Sequence, residues 1–199
     1  MKVLIGCEYS GVLRDCFLAL GANAISCDIL PTESPGPHIQ GDVVEALYNN
    51  EWDMAILHPP CTYLASSGLH WNHRTPGRAE KTEEALRFIE TLWNAPVKKM
   101  CIENPVGCIS TRLAFMPKAH YVQPYDFGED ASKKTGLWLR GLPPLVPTDY
   151  VEPRMIDGKP RWANQCNSGQ NKLGGGAGKE RSKTYFGIAA AMAMQWLTV

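Results

Sequence analysis

The sequence has no excess of either charge: its 199 residues hold 20 Lys and Arg against 20 Asp and Glu. That balance argues against a wholly basic nucleic-acid binder. No apolar run approaches the roughly 18–20 residues of a membrane span. The N-terminal MKVLIGCEYSG lacks the longer apolar core and small-residue cleavage site of a secretory signal peptide, so a cytoplasmic protein is expected. The seven cysteines (Cys7, Cys16, Cys27, Cys61, Cys101, Cys108 and Cys166) include no Cys-x-x-Cys pair. The count is odd and the chain exceeds the usual disulfide-framework size. Neither zinc nor a disulfide scaffold is therefore expected, and most of these thiols read as small buried hydrophobes. No internal repeat is visible. What is present is ordinary globular composition, 44% hydrophobic and 20% charged, at a length that fits one domain over residues 1–199 with a core needing no staples.

The neutral total hides a polarised chain. Residues 1–53 carry two bases against eight acids, and residues 154–199 carry seven bases against two acids. The patterning is that of an α/β fold. Lys2–Gly6 reads as a buried parallel strand, Val12–Leu20 as a helix closed by Gly21, and Ala24–Cys27 as a second strand ending at Asp28. Val43–Tyr48 reads as a short helix and Met54–Leu57 as a strand running into His58-Pro59-Pro60-Cys61. Ser66–Arg78 reads as a loop, and Lys81–Trp93 as a helix that Thr82 could cap. Lys99–Glu103 is a further strand, residues 121–147 two late strands, Arg154–Lys183 a weakly patterned basic segment, residues 174–178 a turn, and Tyr185–Leu197 an Ala/Met-rich helix. Such alternation places ligands at the carboxyl ends of the strands.

Three strand ends carry unusual residues. In Gly6-Cys7-Glu8-Tyr9-Ser10-Gly11 the glycines permit close backbone approach, but the Gly-x-Gly-x-x-Gly dinucleotide pattern is absent. Asp28 follows about 20 residues later, where an acid typically meets ribose hydroxyls; the plain alternative is turn glycines and a solvated acid. In Pro59-Pro60-Cys61-Thr62 two prolines stiffen the chain and fix the next side chain at the sheet edge. A thiol there is either a nucleophile or a structural cysteine after a rigid turn. In Glu103-Asn104-Pro105 an acid ends an apolar strand, where desolvation is expected to raise its pKa toward proton-transfer use; the alternative is a surface carboxylate.

Taken together, the order of Gly-rich loop, Asp, Pro-Pro-Cys and Glu-Asn-Pro resembles the DNA cytosine-5 methyltransferases. Cys61 lies in what looks like their Pro-Cys nucleophile motif and Glu103-Asn104 in what looks like their Glu-Asn motif, with Pro105 in place of the usual valine. Gly6 to Gly11 is similar to their S-adenosylmethionine loop, with its Phe-x-Gly-x-Gly degraded. Asp28 matches the acid at the cofactor ribose, and Asp42 the residue beside the adenine. Phe127-Gly128 and Lys133-Lys134-Thr135-Gly136-Leu137-Trp138-Leu139 look like a diverged later motif, and Tyr185–Trp196 is similar to the family's closing helix. HPPCTYL, ENPVG, YVEPR and SGQNK look like a compact form seen in phages and prophages, a likeness spanning nearly the whole chain. The resemblance implies an α/β, Rossmann-like S-adenosylmethionine-dependent methyltransferase fold, with a mostly parallel sheet flanked by helices. It implies transfer of a methyl group to C5 of cytosine in DNA. Catalysis would fall to Cys61 as nucleophile at C6, Glu103 as proton donor or hydrogen-bond partner at N3, and Asn104 as the residue orienting Glu103 or its loop. Gly6, Cys7, Glu8, Ser10, Gly11, Asp28, Ile29, Asp42 and Pro59 would hold the cofactor. The chemistry asks for no metal, and a base inside a duplex must be flipped out at a cost of a few kcal/mol.

The loop after Cys61 mixes glycine, Trp71 and cations, and Arg74 and Arg78 are candidate phosphate contacts, as are Lys133 and Lys134. Family members insert a sizeable recognition region late in the chain; here that space is roughly residues 144–173, where Arg161, Trp162 and Lys172 stand among Asn and Gln side chains able to read base edges or stack. Other readings stay open. The short region suits a free nucleotide substrate, the degraded cofactor loop suits a catalytically weak nucleic-acid-binding module, and amino-group transfer is disfavoured because Cys61 takes the aromatic position of that motif and His58 the polar one. The histidines read as polar loop residues rather than ligands. Target site and oligomeric state have no signal in the sequence.

Overall fold

The computed structural model describes residues 1–174 and 178–199. In chain order the elements are β1 (Lys2–Gly6), α1 (Val12–Ala19), β2 (Asn23–Asp28), β3 (His38–Gln40), α2 (Val43–Tyr48), β4 (Met54–Leu57), α3 (Ser66–Leu69), α4 (Arg78–Trp93) and β5 (Lys99–Pro105). There follow α5 (Ile109–Arg112), β6 (His120–Val122), β7 (Thr135–Arg140), β8 (Arg154–Ile156), β9 (Lys159–Arg161), α6 (Gly178–Ser182) and α7 (Phe186–Trp196).

Seven strands form one sheet in the order β3-β2-β1-β4-β5-β7-β6. The pairings from β3 to β5 are parallel, whereas β7 runs antiparallel to both β5 and β6. The fold is thus α/β and Rossmann-like, a mostly parallel sheet with helices on both faces. Burial on both faces explains the unbroken apolar runs of β1 and β4. Alternate residues serve opposite faces. Val3 and Ile5 pack with Phe17, Met192 and Trp196 on the α1/α7 side. Leu4 and Leu57 pack with Leu86, Ile89 and Trp93 on the α2/α4 side.

Several local expectations need correction. The stretch 66–78 is not an open loop: it winds into α3 and a 3₁₀ turn at His70–His73, and Arg78 already begins α4. Thr82 does not cap that helix, whose N-cap is Gly77. Its hydroxyl instead donates to the carbonyl of Tyr63 at 3.0 Å, tying α4 to the chain after Cys61. The short edge strand β3 carries no periodic signal. The basic segment after Arg154 contains a small hairpin, β8–β9, and α6. Of the turn expected at 174–178, residues 175–177 lie outside the described residues.

Gly11 is one position where glycine is required. Its φ is +80°, and a Cβ there would sit 2.6 Å from the Arg14 guanidinium. Arg14 is fully buried. It donates to Ser26 Oγ, Thr32 Oγ1 and the carbonyls of Ser34 and Pro35. A buried charge must be paired in this way. The result is a pinned loop between β2 and β3, directly above the carboxyl end of β2.

Candidate active site

The carboxyl ends of β1, β2, β4 and β5 open into one cavity of about 1300 Å³. That exceeds the roughly 300–1,000 Å³ of a single small-molecule pocket. It lies where strand order reverses between β1 and β4, the usual ligand crevice of such sheets.

At one end, Cys7, Glu8 and Ser10 from the β1–α1 turn face the cavity with Asp28, Ile29 and Asp42. Gly6 and Gly11 frame that turn. Cys7 has φ +56°, an uncommon conformation for a residue with a Cβ. Burial pushes its thiol well above the ordinary range, and the carboxylates of Asp28 and Asp42 add to the effect. Ser10 donates to Glu8 Oε1 at 2.5 Å. Glu8 Oε2 is buried without a hydrogen-bond partner. Asp28 accepts from the amide of Leu30 at 2.9 Å, and Asp42 caps α2 by accepting from the amide of Val44 at 2.7 Å. Ile29 is 76% exposed, an apolar side chain held out beside these acids. Over this end lies the α6 segment, where Lys183 pairs with Glu33 at 2.9 Å and Tyr9 contacts Ser182 at 3.2 Å.

At the other end stand Pro59, Cys61, Glu103 and Asn104, with Lys133 and Lys134. β4 and β5 are neighbours in register, so the residues following Leu57 and Ile102 emerge side by side. Asn104 is buried and its Nδ2 donates to the Pro59 carbonyl at 2.8 Å, fastening the diproline turn to β5; its Oδ1 is buried and unpartnered. Cys61 is exposed.

The expected upward shift of Glu103 is not what the structure gives. Burial does push the carboxyl up. The hydrogen bond with His58 and the positive charge of Lys133 outweigh it and hold the group below its ordinary value. His58, to which sequence reading gave no role in the site, is a further participant. Its side chain is 7% exposed, its Nδ1 lies 3.4 Å from Glu103 Oε2, and its Nε2 is buried without a partner. Its place immediately before Pro59, at the end of an apolar strand, was the available signal.

Of the remaining candidates, Arg74, Arg78, Arg161, Trp162 and Lys172 lie outside the cavity lining, whereas Lys134 is part of it. Arg78 donates to the Thr62 carbonyl at 2.9 Å and stacks over Tyr63, so it braces the chain after Cys61. Arg74 lies over Trp71 at 5.8 Å on the exposed helical turn. Lys134 sits 4.6 Å over Tyr121. Trp162 is buried, stacked on Tyr125 at 4.2 Å, and donates to the Val151 carbonyl. Arg161 donates to the carbonyls of Asn167 and Pro160. Lys172 is exposed. Among the described residues, no group of three or more His, Cys, Asp or Glu could hold a metal ion. No described helix is long and apolar enough to cross a membrane.

No protein-family model and no curated protein matches the sequence. Solved structures with a similar chain path include a candidate DNA modification methyltransferase encoded within an E. coli prophage, at 14% identity and TM-score 0.43 over 70% of this chain and 47% of that one. The Entamoeba histolytica methyltransferase EhMeth matches at 17% identity and TM-score 0.49 over 76% of this chain and 58% of that one. A Thermoplasma acidophilum protein matches at 14% identity and TM-score 0.43, over 70% of this chain and 78% of that one. The chain thus spans about half the length of the first two.

Proposed function

We propose that the chain is an S-adenosylmethionine-dependent methyltransferase acting at C5 of cytosine in DNA, with Cys61 as nucleophile. The carrying observation is the convergence of Cys61, Glu103 and Asn104 at one end of a cavity whose other end is lined by acids. The cavity volume suits two ligands rather than one.

The acidic end fits the cofactor. Asp28 offers acceptors for ribose hydroxyls, Ile29 an apolar face for a flat base, Asp42 an edge acceptor, and the unpartnered Glu8 Oε2 an anionic atom for a cationic ligand. Pro59 lines the same cavity beside Cys61. When bound, S-adenosylmethionine supplies an electrophilic methyl group. The chain's own residues prepare the acceptor. Cytosine C5 is a poor nucleophile, and addition of the Cys61 thiolate at C6 makes it enamine-like. A proton delivered to N3 from Glu103 stabilises the adduct. Asn104 holds the diproline turn and thereby the sulfur. Residues 1–199 act as a single methyltransferase unit with a minimal recognition segment at 144–173. Lys133, Lys134, Arg74, Arg78, Arg161 and Lys172 meet phosphates around a flipped base.

A second reading, transfer to a free nucleotide, is favoured by one observation: Arg161 and Trp162 of the recognition segment are already engaged within the protein. Incubation with S-adenosylmethionine and DNA containing 5-fluorocytosine tests the main reading. A covalent adduct that Cys61→Ser abolishes supports it. Adduct formation with 5-fluoro-dCMP but not with DNA supports the second reading, and cofactor binding without either product excludes both.

A further inference from the structure

Protonation of a pyrimidine ring nitrogen needs a carboxylic acid, yet the surroundings of Glu103 favour its carboxylate. A lone carboxylate so held is a poor proton source at neutral pH. The side chain nearest to that difficulty is His58. Its backbone N–H donates to the Gly6 carbonyl at 2.9 Å, which fixes it at the end of β4 beside β1. Its ring is nearly enclosed, with Nδ1 3.4 Å from Glu103 Oε2. Contacts of this length commonly tighten once substrate is bound. The second ring nitrogen, Nε2, is buried and has no hydrogen-bond partner in the protein. Buried polar atoms without partners are uncommon and concentrate where a ligand or water completes them. His58 itself lines the cavity. The titratable groups sharing that lining include Glu103 from β5, Cys7 and Glu8 from the β1–α1 turn, Asp28 from β2, Asp42 before α2, Cys61 from its own loop, and Lys133 and Lys134 from the chain before β7. Glu103 is the one in hydrogen-bond contact.

On the reading of a cytosine-C5 enzyme, we propose that His58 holds the proton that Glu103 passes to the ring nitrogen, the two side chains acting as one proton-carrying pair. The imidazolium–carboxylate pair interconverts with imidazole and carboxylic acid by moving one proton from Nδ1 to a Glu103 oxygen. As the Cys61 sulfur bonds to C6, the C5=C6 electron pair moves to form C4=C5. The N3=C4 pair moves onto N3, which takes the Glu103 proton. The pair is left as carboxylate and neutral imidazole. Once the C4=C5 pair has formed the new bond at C5, N3 re-forms its double bond to C4 and returns its proton to the pair. A base then takes the C5 proton, the C5–H electrons form C5=C6 and the sulfur leaves C6, so the proton held by the pair is not consumed. His58 acts through Glu103 and is a positioning residue for that proton rather than a group touching the reacting carbons.

The test compares wild type with His58→Gln and His58→Ala. The readouts are the pH dependence of adduct formation on 5-fluorocytosine DNA, S-adenosylmethionine affinity by calorimetry, and a histidine-ring ¹⁵N titration by NMR in wild type and Glu103→Gln. His58→Gln should bind the cofactor as wild type does and form adduct about 100-fold more slowly at neutral pH. It should also lose the fall in rate that wild type shows as the imidazolium titrates away. Glu103→Gln should move the His58 titration to lower pH, because the carboxylate favours the charged ring. A wild-type adduct with His58→Gln at full rate and an unchanged pH profile overturns the proposal and leaves the cytosine reading standing. A wild type that binds the cofactor and never forms adduct overturns that reading and the proposal with it. Should both His58 variants lose cofactor binding, an unmoved His58 titration in Glu103→Gln overturns the proposal, and a lowered one supports it.

Discussion

The strand-end cleft and the segment at 144–173 use the same polar residue types in opposite ways. In the cleft, Glu8 Oε2, His58 Nε2 and Asn104 Oδ1 are buried with no partner. In the segment, polar atoms are taken up internally. Arg154 donates to the Trp162 carbonyl, Arg161 to that of Asn167, Asn164 to that of Ser132, and Gln165 to that of Gly169. An unsatisfied buried atom costs free energy that a ligand can recover, whereas a satisfied one holds the chain in shape. The cleft is therefore built toward a ligand. The segment is built first to hold itself, with Trp162 as its anchor on Tyr125.

That contrast is open to measurement. The largest effect should come from Cys61→Ser, which should lower methyl transfer by on the order of 10⁴-fold or more while leaving the melting temperature near that of wild type, as measured by transfer assay and calorimetry. A comparable loss of stability would mean that the cleft, too, is held by its polar side chains. Trp162→Ala should do the reverse, costing about 3 kcal/mol in denaturant unfolding as a buried aromatic is removed. Trp162→Phe should keep most of the DNA affinity, and a large loss with Phe would show the ring reading bases. Asn104→Ala should cost about 1–3 kcal/mol by breaking the bond to Pro59. Because that bond positions Cys61, transfer should fall further than stability.

Glu103 sharpens the comparison through pH. Burial raises its pKa, but the His58 bond and Lys133 lower it more, so the folded value lies below that of the unfolded chain. Its stabilising contribution is then complete above the ordinary glutamate range near about 4.3 and is lost as pH falls through the lower folded value. Thermal melts of Glu103→Gln should accordingly show a shallower acid limb than wild type. The smallest effect is expected at Arg74, exposed on the turn after Cys61. Arg74→Ala should weaken DNA binding evenly across sequences and reduce the salt slope by about 1, read from binding isotherms at several salt concentrations.

Most of the sheet was legible in sequence because burial on both faces leaves uninterrupted apolar runs: Met54–Leu57 appears as read, and Lys99 begins β5 as expected. The edge strand His38–Gln40 was not legible, since three half-exposed residues carry no period. The stretch 66–78 misled because Ser, Gly and Pro suggest a loop. Tertiary contacts (Thr82 to Tyr63, Arg78 to Thr62) wind it instead into short helical turns. Cys61, Glu103 and Asn104 could be singled out because they stand at or just beyond the carboxyl ends of apolar runs. Sequence could not say that β4 and β5 are neighbours, and hence that His58 meets Glu103.

The balance of charge closes on the same division. The order of residues alone determined that acids gather in the first quarter and bases in the last, that Pro59 and Pro60 stiffen the approach to Cys61, and that α/β alternation would set ligand chemistry at strand ends. Only the tertiary structure decided which polar atoms remain unpartnered, which way the Glu103 pKa moves, and that Trp162 is packed away on Tyr125. Each of these depends on contacts between residues far apart in the chain. Pairing and desolvation are properties of a place in space, and local sequence carries no record of them.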